Sequence, residues 1–560
     1  MMTSMLAMTT NLTSVAVVVL IIYMFILLGL GLLGYLSSHT SEEEFYLAGR
    51  GQGFIVTVMT IMATFFSSAA ILGIPGNIYK DGVAFLLFAM NLPVAGACIY
   101  VLGSRIRRIG QKRGYVTQGD MIAEYYGDTP TLRLAVAFAG FVYVILYIVM
   151  QIKAGGYLAQ VMFPQTSPLM MFGHEIGMFQ LGATLLSIVT MLYVLIGGMR
   201  SVAWTDVLQG TLLIIGMLLA AVATIVSLGG PSGFVATLSE LPADALSLPG
   251  PRGAWHATAL MTICIFAAAA SIIQPGQWMR LYAARDDRTL KQSSLVFSLI
   301  LPCCFIFGVM LVALAGRAIY PPNVTPDIQE AHAAVVEFDQ IVVVMIKEQL
   351  PALMGSFGMI LVAVILVAIL AASMSTADSN LHALSAVLTR DVYDRFIRPE
   401  ASELERAWVG RGVIVTATLF SLWLVHAMHA NPDFEPLRMI ADLMFAAIAS
   451  ACQLLPATID MLFVRRGTRK GMLAGLISGL FVVFLFTPVP AAILNGIGLE
   501  GLSSQLRAST GTLRSYFDIG TCGLVINVFI FVIVSRFTQS LPGEHVAAFL
   551  SDIEDPEKPE

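Results

Sequence analysis

Ser375 and Thr376 set two neighbouring hydroxyls just beyond a run that is apolar from Met359 to Ala372, and Ala372 itself lies one helical turn earlier. A second stretch, from Ala63 to Gly76, is apolar enough for a membrane helix but contains Ser67-Ser68 and ends on Pro75-Gly76. Where such a helix breaks, backbone carbonyls lose their amide partners and become ligands, here those of Ala63 and Phe66. Hydroxyls and freed carbonyls suit a hard cation such as sodium, which takes about five or six oxygens. A serine or threonine in a helix also has a plainer use, a bond back to its own turn. Charged side chains stand in apolar surroundings too: Asp206, Asp378 (followed by Ser379) and Lys153. Burying such a charge costs about 2.5–3.5 kcal/mol on insertion scales, which marks these residues as ion- or substrate-path candidates. Plainer roles are open here as well. Asp206 can cap a helix, Lys153 can snorkel outward, and Asp460, close to Arg465 and Arg466, suits a snorkelling structural charge.

The elements that position these residues are membrane helices. The chain has 560 residues, of which 57% are hydrophobic and 12% charged, against roughly 25% charged in an ordinary globular chain. Mean hydropathy is +0.82. So apolar a chain cannot cover a water-facing surface, which excludes a soluble enzyme, a nucleic-acid binder and a disordered scaffold. With about 20 apolar residues per crossing, thirteen spans are expected: 11–36, 55–73, 83–103, 135–160, 176–197, 203–228, 257–279, 293–317, 355–383, 411–428, 438–464, 470–488 and 517–536. The first is read as a span and not a cleaved signal, because no Lys or Arg precedes it.

Lys and Arg set the orientation. With the N-terminus outside, the inner segments 37–54, 104–134, 198–202, 280–292, 384–412, 465–470 and 536–560 hold 23 of the 31 basic residues. The outer segments hold seven, and Lys153 is left inside a span. The positive-inside rule therefore predicts an integral plasma (inner) membrane protein, N-terminus outside and C-terminus cytoplasmic, its acidic tail 551–560 frayed. The basic runs read as topology anchors. The longest outer segment, 318–354, has Asp327 as a potential cap and Val335, Phe338, Val342 and Met345 at helical spacing, so it reads either as an amphipathic lid or as a solvated loop.

Two spans carry breaks at matched positions, the second at Ala63–Gly76 and the seventh at Ile273-Gln274-Pro275-Gly276-Gln277-Trp278. Each begins a group of five spans entering from opposite sides, the topology of an inverted repeat. The expected organisation is a peripheral helix over 1–36, a first repeat over 55–228, an outer loop over 229–256, a second repeat over 257–464 that includes the lid, two peripheral helices over 465–536, and a tail over 537–560.

At these residues the chain resembles the solute:sodium symporter family. Four pieces carry the resemblance: Phe45-Tyr46-Leu47-Ala48-Gly49-Arg50; the Ala63–Gly76 stretch with Tyr79 and Gly82; Gly197 to Gln209; and Ala371 to Ser379 with Leu388-Thr389-Arg390-Asp391-Val392-Tyr393. The resemblance implies an all-α polytopic protein with the leucine-transporter fold, its inverted five-plus-five core preceded by one helix and followed by two. It implies a shared sodium site made by the carbonyls of Ala63, Phe66 and Ala372 and the hydroxyls of Ser375 and Thr376. Some relatives bind a second sodium at positions matching Asp206, Asp378 and Ser379. Asp378 departs from their two-serine pattern, and three roles are open to it: strengthening cation binding, carrying a proton, or pairing with Lys153.

The expected activity is sodium-coupled import of a small organic solute by alternating access, with the bilayer, sodium and the solute as its partners. Ser67, Ala70, Lys153, Gln274, Gln277 and Trp278 are the substrate candidates. Sugar-type relatives carry polar side chains soon after the serine of the second span. Ala69 and Ala70 here argue for a smaller, less hydroxylated substrate. The ammonium of Lys153 points to a small organic anion such as a monocarboxylate, with amino acids, vitamins and sugars as alternatives. A sensor or a channel is the more remote reading. An enzyme is not expected, because His174-Glu175 lacks the second histidine of a metal pair and no nucleophile or phosphate-loop motif is present.

Overall fold

The structure, a computed structural model, describes residues 2–37, 41–163, 169–171, 174–325, 327–430 and 439–554. The expected acidic tail lies outside the described residues beyond Glu554. The chain begins with α1 (Met2–Ser37). The second expected span then appears as two pieces, α2 (Phe54–Phe65) and α3 (Ile74–Asp81), joined by Phe66–Ser68 and a wide turn over Ala69–Gly73. Pro75 sits in the first turn of α3, where its missing N–H removes no helical bond. Next come α4 (Asn91–Arg113), the short α5 (Gln118–Tyr125), α6 (Pro130–Met162) and α7 (Met178–Ser227).

The seventh expected span is broken in the same way. α8 (Ala257–Ala270) gives way to an extended Gln274, and α9 (Pro275–Ala283) restarts on a proline with its axis bent by 44°. Further helices include α10 (Asp287–Cys304), α11 (Met310–Ile319), α12 (Ile341–Val387), α13 (Glu403–Ala430), α14 (Ile440–Cys452), α15 (Arg469–Phe486), α16 (Ile519–Arg536) and α17 (Gly543–Glu554).

Among the described residues, nine helical runs are long and apolar enough to cross a membrane, or eleven when each of two bent pairs counts as one span. The count stops short of thirteen for two physical reasons. α2 is cut to 12 residues by its break, below the length that crosses a bilayer. The fifth and sixth expected spans are one continuous run in α7, interrupted only at Gly198, whose φ of 56° and ψ of −159° lie outside the helical region. A Cβ on Gly198 would lie 2.8 Å from the ring of Phe45, so both the backbone angle and the contact call for glycine.

The segment 318–354, open between an amphipathic lid and a solvated loop, has features of both. It contains a short hairpin pairing Asn323–Val324 with Gln329–Glu330, and Asp327 caps no helix. Val336 at φ 65° holds the chain out of helix until Phe338. Val335, Val342 and Met345 are nevertheless fully buried, so the apolar periodicity marks a real inward face.

The last membrane helices pair through a glycine stripe. Gly471, Gly475 and Gly479 recur every four residues on α15, and a Cβ at Gly475 would come 2.6 Å from Asn527 Oδ1 on α16. Small residues at this spacing let two helices approach closely. Asn527 Nδ2 also donates to the carbonyl of Gln453 at 2.7 Å, tying the pair to the end of α14. On the face rich in basic residues, α17 closes onto α4 and α5. Arg113 Nε donates to Asp552 at 2.7 Å, and Phe549 is buried edge-on against Tyr125.

Candidate cation and solute site

The break after α2 frees three carbonyls. In an unbroken helix the amides of Ser67, Ser68 and Ala70 would bond the carbonyls of Ala63, Thr64 and Phe66. Here Ser67 N–H donates to Phe65 O, Ser68 N–H to Gln151 Oε1 and Ala70 N–H to Ser67 O. The hydroxyls of α12 meet the freed oxygens. Ser375 Oγ lies 3.0 Å from Ala63 O and 3.2 Å from Ala372 O. Thr376 Oγ1 lies 3.3 Å from Ala63 O and 3.4 Å from Thr64 O. Ala63, Ala372, Ser375 and Thr376, named from the sequence, therefore share one buried cluster, and the carbonyl of Thr64 joins it. Phe66 ends α2 with ψ 75°, and its ring stacks on Phe305 at 6.0 Å. The cluster is uncharged and made of oxygens, the donor chemistry a sodium ion takes.

About one turn away on α2 and α12, and completed by α7 and α9, lies a charged cluster. Asp206 stands inside α7, fully buried, and caps nothing. Its Oδ2 accepts from Thr60 Oγ1 and, at 3.0 Å, from Arg280 Nη2. The same Nη2 donates to Ser379 Oγ, while Arg280 Nε reaches Thr60 Oγ1 at 2.8 Å and Nη1 reaches Gly276 O at 3.0 Å. Asp378 Oδ2 accepts from Tyr193 OH at 2.8 Å, and its Oδ1 lies 3.1 Å from Ser379 Oγ. Asp206, Asp378 and Ser379 thus come together as expected, but with Arg280, Thr60 and Tyr193 among them. Asp378 is engaged by Tyr193 and Ser379 in place of Lys153.

Above the break lies a small cavity of about 40 Å³. Ser67, Ala70 and Gln274 line it together with Tyr147, Asn91 and Phe305, so both broken spans contribute. Gln274 Oε1 accepts from Tyr143 OH at 2.7 Å, which orients its amide. The other three substrate candidates do not line this cavity. Gln277 Nε2 donates to Ile61 O at 3.1 Å and fastens α9 to α2. Trp278 is fully buried and meets Tyr282 edge-on. Lys153 is only 6% exposed, its ammonium 5.5 Å from the Tyr157 ring centre, and Asp339 and Asp442 are among the carboxylates within reach of its charge. It is therefore packed inside the protein and does not reach into solvent.

Asp460 also differs from the snorkelling charge expected beside Arg465 and Arg466. Its Oδ1 accepts the backbone amides of Arg466 and Gly467, both at 2.9 Å, and its Oδ2 accepts Tyr126 OH at 2.8 Å. The carboxylate binds the turn itself.

A second buried charge knot holds the ends of the helices on the basic face. Arg133 Nη1 donates to Asp120 at 3.2 Å and Asp391 at 3.0 Å, and Nε donates to Asp128. Asp120 Oδ2 accepts the amides of Val116 and Thr117. Burial alone would raise the Asp120 carboxyl, but Arg390, those amides and Arg133 outweigh it and hold the group below its ordinary range. Next to Asp120's helix start, Gln118 donates to Ile273 O, a direct link to the second break.

Sequence reasoning missed Arg280, Thr60, Thr64 and Tyr193. A signal was present for Arg280: it follows the Pro275-Gly276 break closely, where a half-helix still lies inside the membrane.

The model of the sodium:solute symporter family matches residues 45–479. A sodium/pantothenate symporter of Haemophilus influenzae is 26% identical over 487 residues, covering 85% of this chain and 91% of that protein. A sodium/proline symporter of Salmonella typhimurium is 24% identical over 508 residues, covering 87% and 93%. Among solved structures, a substrate-bound, outward-open sodium-coupled sialic acid symporter superposes with a TM-score of 0.71 over 94% of this chain and 98% of that one, at 17% identity. That likeness gives the fold, the leucine-transporter fold.

Proposed function

Because the chain belongs to the sodium:solute symporter family, we propose that it imports a small carboxylate-bearing organic solute together with sodium. Its membership makes it a multi-pass membrane transporter, not an enzyme, with sodium as the coupling ion. The observation that carries the reading is the juxtaposition at one helix break. The Ser375–Thr376–Ala63 oxygens lie on one side, and the cavity lined by Ser67, Ala70 and Gln274 on the other. Ion and solute then share a single movable element, which is how occupancy of one site biases the other.

Relatives named for proline and pantothenate, and a structural neighbour named for sialic acid, support a solute with a carboxylate. Proline and pantothenate keep an amino acid and a vitamin as equal rivals to a simple monocarboxylate. Residues 55–228 and 257–464 are the two repeats that rock against each other. The N-terminus lies outside and α17 lies at the cytoplasmic face, following the bias of basic residues.

The test is uptake into proteoliposomes from a panel of radiolabelled monocarboxylates, amino acids, vitamins and sugars, under an inward sodium gradient and under potassium. Sodium-dependent uptake of a carboxylate-bearing solute is expected. Equal uptake in potassium refutes the coupling, and sodium-driven uptake of an uncharged sugar alone refutes the substrate class.

A further inference from the structure

Two cavities share the helices α3 and α14. The outer one, of about 1360 Å³, is lined by Asn77 and Lys80 of α3 and by Asp442 and Phe445 of α14. The solute cavity of about 40 Å³ is lined by Ile74 of α3 and by Met444 and Ile448 of α14. On α3 the two linings are one turn apart, and there the neighbouring segments meet almost backbone to backbone. A Cβ on Gly73 would lie 2.9 Å from the backbone nitrogen of Ala441 and 3.1 Å from Ile440 Cγ2. A Cβ on Gly76 would lie 2.7 Å from Asp339 Oδ1 and 3.1 Å from the Asp339 backbone. Glycine at both positions lets α14 and the residues ahead of α12 close directly on the outer half of the broken span.

We propose that Asp339 is the positioning residue of the outer gate: its carboxyl holds the start of α14 against the glycines of α3, and that contact closes the way from the outer cavity to the solute cavity. The inference deepens the transport reading above and rests on it for what passes the gate.

Three features argue for it. The first is the bond itself. Asp339 Oδ2 accepts the backbone amide of Ile440 at 2.9 Å. Ile440 opens α14, so its amide has no carbonyl partner inside the helix. The acceptor serves in either protonation state, because a proton on Oδ1 leaves Oδ2 free to accept.

The second is the mount. Gln340 Nε2 donates to Gln160 Oε1 at 3.1 Å, and Lys347 Nζ donates to Val161 O at 2.7 Å, both at the outer end of α6. The residues beside Asp339 are thus fixed to α6, while α3 and α14 lean on them. Lys80 of α3 completes the contact, its Nζ 3.3 Å from Met439 Sδ and 5.5 Å from the centre of the Phe338 ring.

The third is the cost of the side chain. Asp339 is 2% exposed, and its Oδ1 has no hydrogen-bond partner among the described residues. A buried polar atom left unpaired destabilises a fold, so an apolar residue would fill this place better if filling were its only task. Lys153 is among the charged groups within reach of this carboxyl, which places that lysine beside the gate and outside the solute cavity.

The experiment measures access to the solute cavity from outside. Ala70→Cys puts a thiol in that cavity, and intact cells carrying the full chain are treated with a membrane-impermeant methanethiosulfonate. Modification at residue 70 is read by peptide mass spectrometry, so the native cysteines stay in place and the buried Cys304 serves as an internal control. Added to Ala70→Cys, Asp339→Ala is expected to raise the modification rate at least about tenfold, the effect of leaving the buried Ile440 amide without its acceptor. Asp339→Asn keeps an acceptor oxygen and should stay within about threefold of Ala70→Cys alone. Gly76→Ala forces the same contact apart from the other side and should raise the rate as Asp339→Ala does, which keeps the test decisive if one of the two fails to reach the membrane. An unchanged rate in whichever of them is made overturns the proposal. So does an equal rise at Cys304, which would mark general loosening, or an Asp339→Asn rate as high as that of Asp339→Ala. The labelling needs neither sodium nor solute. Its failure leaves the transport reading standing, and equal solute uptake in potassium refutes the coupling without touching the labelling result.

Discussion

The hydroxyl of Ser375 lies 3.0 Å from the carbonyl oxygen of Ala63, although 312 residues separate them. That single contact spans the break in α2 and joins it to the middle of α12. A ligand bound between the two must therefore pull on both helices at once.

Removing the hydroxyls should weaken sodium without emptying the membrane of protein. Ser375→Ala and Thr376→Ala are each expected to raise the sodium concentration for half-maximal uptake about tenfold, the equivalent of about 1.4 kcal/mol per lost ligand. Sodium titration of uptake at fixed solute measures this. An unchanged sodium dependence in the double variant would place the ion elsewhere.

Asp206→Asn leaves Arg280 buried beside a neutral amide. Breaking one side of a buried ion pair costs about 3–5 kcal/mol, so a clear drop in thermal unfolding temperature is expected. The double change Asp206→Asn/Arg280→Gln should recover part of the loss, because it removes both charges together. Equal unfolding temperatures for wild type and Asp206→Asn would show that the pair contributes nothing.

Ala70→Leu adds three carbons to a cavity of about 40 Å³. Solute uptake should fall about fivefold or more, since overpacking of a tight site typically costs about 1–3 kcal/mol. Sodium-induced thermal stabilisation should persist, because Ala70 contributes no oxygen to the Ser375 cluster. Loss of both together would mean that the residue holds the fold and not the pocket.

Asp120 predicts a direction for acid sensitivity. Its folded carboxyl is held below the ordinary value, so its contribution to stability is fully present above that value and is lost as pH falls through the folded one. Stability in detergent should therefore decline below about pH 4, the ordinary aspartate range. Asp120→Asn should be less stable than wild type at neutral pH and show a shallower decline in acid. A variant with the wild-type slope would exclude Asp120 from the acid response.

The oxygen cluster of Ala63, Ala372, Ser375 and Thr376 was largely legible along the chain because local signals mark its residues and the resemblance to the family groups them. A hydroxyl pair in an apolar run and a proline-glycine break each stand out within a dozen residues. Arg280 was hidden for the opposite reason. Counted in one dimension, it belongs with the basic residues of 280–292 as a topology anchor. Its true partner, Asp206, lies 74 residues earlier, and only the packing of α9 against α7 makes the pair visible. Lys153 shows the limit of helical arithmetic. Its depth in α6 follows from the rise per residue, but which way it faces depends on neighbours such as Tyr157 that spacing does not order. In the 318–354 segment the apolar spacing was real, yet Val336 at φ 65° delays the helix. A single backbone angle of that kind leaves no trace in hydropathy.

The clasp between α17 and the α4–α5 corner joins parts of the chain that are made far apart in time. Arg113 and its partner Asp552 are 439 residues apart. At about 5–20 residues per second, the corner waits roughly 20 to 90 seconds before its partner is synthesised. Through that interval Arg113 has Glu124 as its partner and Arg108 gains Asp287, while the contacts to Asp552 and to the Ile553 carbonyl are still missing. The clasp thus closes only once α17 has been made, long after the corner that it covers.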